Sequence, residues 1–470
     1  MLTAPPPSPS TSSPTSSSSP APRAPSTRPL HVVVLGGGVV GLASALRILQ
    51  LNTPGQPRAV NVTVLAAEWG AATTTAGAAG LWGPYKLSET PDELVSRWSG
   101  DTYGHLLGLC HSGAAVAAGV QMCSVNSFYS EPQPLPSWGH IPTTMHVIDP
   151  RMVQAVTRTL EQPPITPPPP APPAGPMPPG GTGGAAAAAA AAPLATGLTV
   201  AEALGAGPGA DPEPLPIAWG YHWNSIICGR LRALPGRLTS LEQLGAALED
   251  STPAGAAALG SGSAGAAEEG TPARGVDAGA DLDLDLDLVV NCVGLGAREL
   301  LRDEDCYPIR GQIMRVRAPW VTQACFFDPF YIIPNRHTVV LGGTGQVGSA
   351  SLEPSPSDRR AILEGCCRLL PSLRDAQILS DWVGLRPGRT RLRLELERPG
   401  ARLAGTGAGT GAVVGRGAGG GGGGVGGRGE AGPGRVVRVV HNYGHGGAGL
   451  TLAWGCAGDV VELMRGEGLL

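Results

Sequence analysis

Residues 31–49, HVVVLGGGVVGLASALRIL, pass from a β-branched apolar run through a glycine turn into an apolar stretch with helical composition. The first run does not alternate with polar residues, which predicts a strand covered on both faces. VNVTVLAAE (60–68) predicts a second such strand, so the chain opens on a βαβ unit of a parallel sheet. TTMHVIDPRMVQAVTRTLE (143–161) reads as a strand and then a helix entered at Asp149-Pro150. RLTSLEQL (237–244) is ambiguous, and LDLDLDLVVNCVG (282–294) is a strand closing on glycine. RGQIMRVRAPW, FYIIPNRHTVVLGG, RTRLRLELE and RVVRVVHNYG alternate or carry β-branched runs, predicting a largely antiparallel sheet in the second half. GLTLAWGCAGDVVELM (449–464) closes the pattern as a helix. The expected class is α/β, a parallel βαβ domain combined with one built on a largely antiparallel mixed sheet.

Composition trims this picture. Of 470 residues, 71 are glycine and 47 proline, concentrated in four tracts at 1–29, 161–197, 252–280 and 399–434. Such sequence lacks the apolar side chains that offset chain entropy, so these tracts are expected to be disordered insertions. The roughly 340 residues that remain suffice for two domains. A net charge of −4 and the absence of any basic run argue against a nucleic-acid surface. No apolar run reaches the ~18 residues of a membrane span. The nine cysteines form no CxxC pair and read as buried or incidental thiols. No acidic residue precedes Glu68, while Arg23, Arg28 and many Ser and Thr do, a composition shared by transit peptides and by low-complexity extensions. Alternation in DLDLDLD places every Asp on one strand face, and the run lacks the glycine and glutamate of a calcium loop, so a solvated edge is expected.

Gly36-x-Gly38-x-x-Gly41 lies between a predicted strand and a predicted helix. The first glycine allows the tight turn, the second lets a pyrophosphate approach the backbone, and the third lets helix and strand pack closely. Free N–H groups and the positive helix end then favour the anion. An acid at the end of the second strand is needed for a ribose hydroxyl, and Glu68 is available. The motif alone leaves NAD and FAD open.

ATTTAGAAGLWGPY (72–85) resembles the threonine-rich segment of D-amino-acid oxidases that runs beneath the FAD pyrophosphate and flavin. VVNCVGLGARELLRD (289–303), YPIRGQIMRVRAPW (307–320), YIIPNRHTVVLGGTGQVG (331–348), VGLRPGRTRLRLELE (383–397) and HNYGHGGAGLTLAWGCA (441–457) resemble the same family in the same order. The stretch 198–234, including YHWNSIICG, has no clear counterpart. The resemblance implies a Rossmann-like FAD-binding domain (30–90, 235–302 and 436–470) interleaved with a substrate domain (91–160 and 303–398). The ranges 161–234, 252–280 and 399–435 stand as insertions, and 1–29 as an extension or transit peptide. It further implies FAD phosphates on Gly36, Gly38, Gly41, Thr74 and Thr75, and the flavin edge against Ala79, Gly80 and Leu81. Gly446, Gly449, Leu450 and Thr451 are implied to face the far ring carbonyl. Aligning the threonines puts Ala67 where the family has its ribose acid, with Glu68 one place later.

An amino-acid substrate offers a carboxylate, an amine and a Cα–H. Planar recognition of a carboxylate suits arginine, and Arg386 is favoured because Pro387 restricts its backbone to an extended form. The resemblance selects Arg386 independently, makes Tyr331 a second donor to the carboxylate, and gives the carbonyl of Gly447 the amine. Arg389, Arg391 and Arg393 are expected to face solvent, and His441 and His445 to be neutral and structural. The implied reaction is hydride transfer to FAD without a general base, followed by reoxidation by dioxygen to hydrogen peroxide. VTQACFFDPF (321–330) is shorter than the family's lid and holds no arginine, and Phe327 falls where relatives carry a second tyrosine. Relatives acting on acidic D-amino acids use an additional cation, so a neutral substrate is expected. D-Aspartate oxidation through a cation from elsewhere, such as Arg336, and a flavin-binding protein without turnover are the alternatives. Expected partners are a D-amino acid and dioxygen, with a homodimer admitted and neither nucleic acid nor membrane. The family's address is the peroxisome, whereas GEGLL is not a peroxisomal tripeptide and the amino-terminal composition points to an organelle such as a plastid or mitochondrion.

Overall fold

The apolar run at the head of the chain forms β1 (Leu30–Leu35), the stretch beyond its glycines α1 (Val39–Leu49), and the next apolar run β2 (Val60–Leu65), parallel to β1 in unbroken register. Leu30, Val32 and Val34 are wholly buried and Val33 nearly so, as expected of a strand covered on both faces. Each such side chain removed from water contributes about 1.5–3 kcal/mol. The computed structural model describes residues 28–56, 58–142, 144–149, 151, 196–205, 215–228, 286–397 and 437–470. The readings of a helix after Pro150, of the ambiguous stretch at 237–244, and of the tracts at 1–27, 152–195, 252–280 and 399–435 lie outside these residues.

β1 and β2 belong to a five-stranded sheet with β6 (Leu288–Asn291), β13 (Arg393–Glu397) and β14 (Arg438–Tyr443), in the order β13-β14-β6-β1-β2. All pairs are parallel except β13 with β14. α1 and the closing helix α7 (Gly449–Gly466) supply Ile48, Leu49, Val460, Val461 and Met464 to its core. α3 (Asp92–Cys110) packs against α7 so closely that a Cβ on Gly455 would stand 2.3 Å from the Trp98 carbonyl oxygen. Asp287, at the head of β6, is not a solvated edge residue. Its carboxylate accepts from the His31 N–H at 2.9 Å and pairs with Arg58 at 3.1 Å.

The second sheet has nine strands: β3 (Val120–Tyr129), β4 (His146–Val147), β5 (Trp219–Cys228), β7 (Cys306–Arg317), β8 (Ala324–Phe327), β9 (Phe330–Pro334), β10 (Val339–Gly342), β11 (Gln346–Val347) and β12 (Gln377–Arg389). Every pairing is antiparallel except β3 with β8, which makes the sheet mixed as expected. α6 (Pro356–Leu369), capped by Ser355, covers one face with Ile362, Leu363 and Cys366. The short helices are α2 (Thr74–Gly77), α4 (Val200–Leu204) and α5 (Ala297–Leu300).

Two departures from the sequence reading concern this architecture. β5 falls within 161–234, read as insertion, yet it pairs with β3 over ten residues and presents Trp223, Ile226 and Ile227 to the core. β13, placed by sequence in the substrate domain, completes the parallel sheet instead. In both cases the partner strand is remote in sequence, and only the pairing reveals the membership. Among the described residues no helix is long and apolar enough to cross a membrane.

Candidate active site

The turn between β1 and α1 is built for close approach. Gly36 has φ +116°, and a Cβ there would stand 2.4 Å from the Cys292 carbonyl oxygen. On Gly41 it would stand 2.0 Å from the Gly36 oxygen, so the third glycine of the motif lets helix and turn touch. Gly38 is the N-cap of α1, with no side-chain cap and no acid in the first turn. Its helix end therefore keeps the N–H groups and positive dipole that attract an anion. Thr75 Oγ1 accepts from the Val39 N–H at 3.3 Å, which draws the threonine segment against this end. Thr74 donates its hydroxyl to the Leu385 carbonyl at 3.1 Å. Glu68 is exposed and lies beyond the end of β2, its carbonyl oxygen 2.9 Å from where a Cβ on Gly37 would be.

Ala79, Gly80 and Leu81 run along the end of β5. Cys228 N–H donates to Gly80 O at 2.9 Å, Leu81 bridges Ile227, and Trp82 N–H donates to Ile226 O at 2.8 Å. The stretch without a counterpart in the sequence reading is thus what fixes this segment from behind. From the other side Thr451 and Gly83 exchange hydrogen bonds of 3.0 and 3.1 Å, tying the start of α7 to the same loop. Gly446 (φ +53°) donates to Pro387 O at 2.8 Å, and a Cβ on it would lie 1.9 Å from Lys86 O. Gly449, Leu450 and Thr451 form the first turn of α7, which also lacks a side-chain cap. His445 beside it is buried, burial lowers its pKa to about 3, and its Nε2 has no partner among the described residues. A helix end over a glycine cradle that meets only the Thr75 hydroxyl, the threonine segment leading from it, a second helix end without a side-chain cap and an orphaned imidazole nitrogen fit a dinucleotide lying along this groove. His441 is equally buried, Nε2 at 2.8 Å from Glu397 and Nδ1 at 3.2 Å from Asn291, with its pKa lowered chiefly by burial.

The carboxylate clamp comes from two strands that are not neighbours. Arg386 on β12 reaches across β7 over Gly311, where a Cβ would meet Nη1 at 2.2 Å. Its Nη1 donates to the Thr344 carbonyl at 3.1 Å. Tyr331 on β9 reaches across β10 over Gly342 and Gly343, where a Cβ would meet the ring at 2.2 and 2.5 Å. The two side chains face one another closely enough for the Arg386 charge to act on the Tyr331 phenol. Desolvation pushes the Tyr331 phenol up to about 12 even though Arg386 draws it down, so it is a neutral donor. Tyr85 roofs the pair, with the Arg386 guanidinium carbon 5.8 Å from its ring centroid, and desolvation raises its pKa as well. Gly447 underlies that ring, since a Cβ there would stand 2.4 Å from Tyr85 Cδ1. Arg386, Tyr331 and Gly447 are thereby brought together around one space.

Some sequence readings do not survive this geometry. Phe326, not Phe327, is the aromatic neighbour of Tyr331, directly opposite it across β8 and β9 with centroids 5.8 Å apart. Side chains alternate faces along a strand, so Phe327 turns into the core under α6. Arg389 and Arg393 do not face solvent: Arg389 Nε is 3.0 Å from Asp303, and Arg393 donates to the Tyr443 hydroxyl at 2.9 Å. Tyr443 donates in turn to Asp303 at 2.6 Å. Burial disfavours the Asp303 carboxylate, but these bonds outweigh it and lower its pKa. Tyr85, Lys86 and Asn335, whose amide donates to the Ala79 carbonyl at 3.2 Å, were not foreseen. The glycines of LGGTGQVG were the available signal for a close approach there.

The sequence matches the profile of the FAD dependent oxidoreductase family over residues 31–463. It is 40% identical to a D-amino acid oxidase of Dugesia ryukyuensis over 178 residues, 38% of this chain and 45% of that protein. A D-amino-acid oxidase of Rubrobacter xylanophilus is 41% identical over 183 residues, again 45% of its length, so the chain spans about half of these relatives. Human D-aspartate oxidase aligns over 92% of this chain and 94% of its own at 27% identity. The fold is similar to that of glycine oxidase from Bacillus cereus, with a TM-score of 0.51 at 15% identity, covering 93% of this chain and 95% of that one. A profile match across nearly the whole chain, on a groove that fits FAD, makes this protein a member of the FAD-dependent oxidoreductase family with FAD as its cofactor.

Proposed function

We propose that this protein oxidises D-amino acids to imino acids, which water converts to 2-oxo acids and ammonia, with dioxygen reduced to hydrogen peroxide. The observation that carries the reading is the meeting of Arg386 and Tyr331 across two glycine-floored strands beside Gly447. The names of the aligned relatives support the D configuration. FAD, when bound, supplies a two-electron acceptor for the hydride leaving Cα. The protein's own residues hold the substrate in place. Arg386 is already anchored on Thr344 and directs its remaining donors to the carboxylate, while Tyr331 adds a neutral O–H. The Gly447 carbonyl accepts from the amine, which reacts in its neutral form after giving its extra proton to water, so that its lone pair can expel the hydride. No side chain has to take the Cα proton, so placement supplies the acceleration. His445, with a pKa of about 3, is neutral at working pH and plays no acid–base part.

On sequence grounds the side chain accepted is neutral, because residues 321–330 bring no arginine to the site. The deciding measurement is peroxide release with a panel of D- and L-amino acids on the FAD-loaded protein. Release with D-alanine and none with L-alanine is expected; oxidation of the L series, or of neither, would overturn the reading.

A further inference from the structure

We propose that Asn335 is a positioning residue for the redox chemistry: its side-chain amide holds the Ala79–Gly80 peptide with the N–H turned into the groove, and so raises the reduction potential of the flavin that lies there. The inference rests on FAD as the cofactor and on the flavin edge lying along Ala79, Gly80 and Leu81, and it is independent of which amino acid is oxidised.

The carbonyls of this segment are drawn one after another into the surrounding strands. Arg315 on β7 donates from Nη2 to Gly77 O at 2.8 Å, Asn335 from Nδ2 to Ala79 O at 3.2 Å, and Cys228 on β5 from its backbone N–H to Gly80 O at 2.9 Å. In a trans peptide the C=O and the following N–H point in opposite directions. The Gly80 N–H is therefore directed away from Asn335, and the Leu81 N–H away from Cys228. Strand pairing gives the same answer for Leu81. The bonds from Cys228 N–H to Gly80 O and from Trp82 N–H to Ile226 O flank the Leu81–Ile227 bridge, and in that pattern the bridged residues turn their own N–H and C=O away from each other. Neither the Gly80 nor the Leu81 N–H has a partner among the described residues.

The two peptides are not equally secured. Gly80–Leu81 is fixed by backbone pairing to β5, whereas Ala79–Gly80 hinges on Gly80, at φ +82°, where the absence of a side chain lets the peptide turn. Its carbonyl is held by a single side-chain amide. That amide is not needed for its own turn, because the bond from Asn335 N–H to Thr338 O at 2.7 Å closes the connection between β9 and β10 with backbone alone. The orientation of the amide follows from its partner, since only the nitrogen can donate to a carbonyl. An N–H facing the flavin edge sets the positive end of a peptide dipole where reduction adds negative charge. A carbonyl released from Asn335 and turned to the same edge would set the negative end there. Asn335 thus favours the reduced state through a peptide to which it does not belong.

The test measures the midpoint potential of the bound flavin by dye equilibration, without substrate, in the full FAD-loaded chain and in Asn335→Leu, Asn335→His and His337→Gln. Asn335→Leu keeps the size of the side chain and removes its donors. It is expected to shift the reduction equilibrium toward oxidised flavin about tenfold, the scale of one hydrogen bond to a charged group, and tenfold is ~30 mV for a two-electron couple. Asn335→His carries its Nδ1 at the same place along the side chain as the amide nitrogen, and it should recover most of the loss above about pH 8, where an imidazole is neutral. His337→Gln, at an exposed position of the same turn, should keep the parental potential. If Asn335→Leu sheds its flavin, Asn335→Ala is read on the same scale. A parental potential in the leucine or alanine variant, no recovery in Asn335→His, or an equal fall in His337→Gln would overturn the assignment. Because no amino acid is present, a protein that leaves D-alanine untouched would sink the functional reading and not this one, and a potential that ignores Asn335 would do the reverse.

Discussion

Replacing Arg386 by alanine is expected to lower kcat/KM for D-alanine by about a hundredfold or more while leaving FAD bound. The guanidinium gives Nη1 to the Thr344 carbonyl and lies beside the Tyr331 phenol, which leaves donors for a carboxylate. In the variant the substrate carboxylate would face only Tyr331, a phenol with a pKa of about 12 that carries no charge to offset it. A desolvated charge stripped of its partner costs about 3–5 kcal/mol, or roughly two to four powers of ten at ~1.4 kcal/mol each. The roof of the clamp is not sealed, since Tyr85 remains 40% exposed, and water entering there favours the lower end. Tyr331→Phe removes one neutral donor to the same charge, about 1.5–3 kcal/mol, and its loss should be the smaller. Steady-state peroxide release over a range of D-alanine, with bound flavin read by absorbance, separates the cases. An Arg386→Ala protein with near-parental efficiency, or one that also sheds its flavin, would refute the placement of the clamp.

Gly311→Ala would set a methyl 2.2 Å from Arg386 Nη1, so it should lower turnover at least tenfold, in line with the cost of misplacing a positioning group; retention of FAD with parental kinetics would count against it. Gly41→Ala would place a methyl 2.0 Å from the Gly36 oxygen and open the β1–α1 turn, and the flavin-to-protein absorbance ratio of the purified variant should drop sharply. Because Tyr331 stays protonated until pH rises through about 12, benzoate affinity followed by flavin absorbance should hold steady from about pH 6 to about pH 10. A fall centred near pH 8 would show that some other group governs the site.

The parts of this site that were legible in the sequence are those whose chemistry is local. Gly36, Gly38 and Gly41 declare their roles by spacing, because turn, helix start and close packing all occur within one short segment. Arg386 could be singled out because Pro387 is adjacent. The glycine floors could not: Gly311 serves Arg386 from a strand 75 residues earlier, a relation set by pairing register. The same register puts Phe326 rather than Phe327 beside Tyr331, a one-residue difference that alternation turns into opposite faces. Arg389 and Arg393 looked solvated because their partners, Asp303 and Tyr443, belong to other elements.

The order β13-β14-β6-β1-β2 also governs how the polypeptide can be made. β1 emerges from the ribosome first, but its neighbour β6 begins at Leu288 and the strand beyond that, β14, at Arg438. The N-terminal βαβ unit must wait, with one side of its sheet unpaired, through most of translation. Domains that fold vectorially are shielded early; here the nucleotide cradle cannot close until the last helix has been synthesised. A premature stop anywhere before β14 would therefore release a chain lacking part of the flavin-binding sheet, and a long nascent interval makes this architecture dependent on whatever protects unpaired strand edges in the cell.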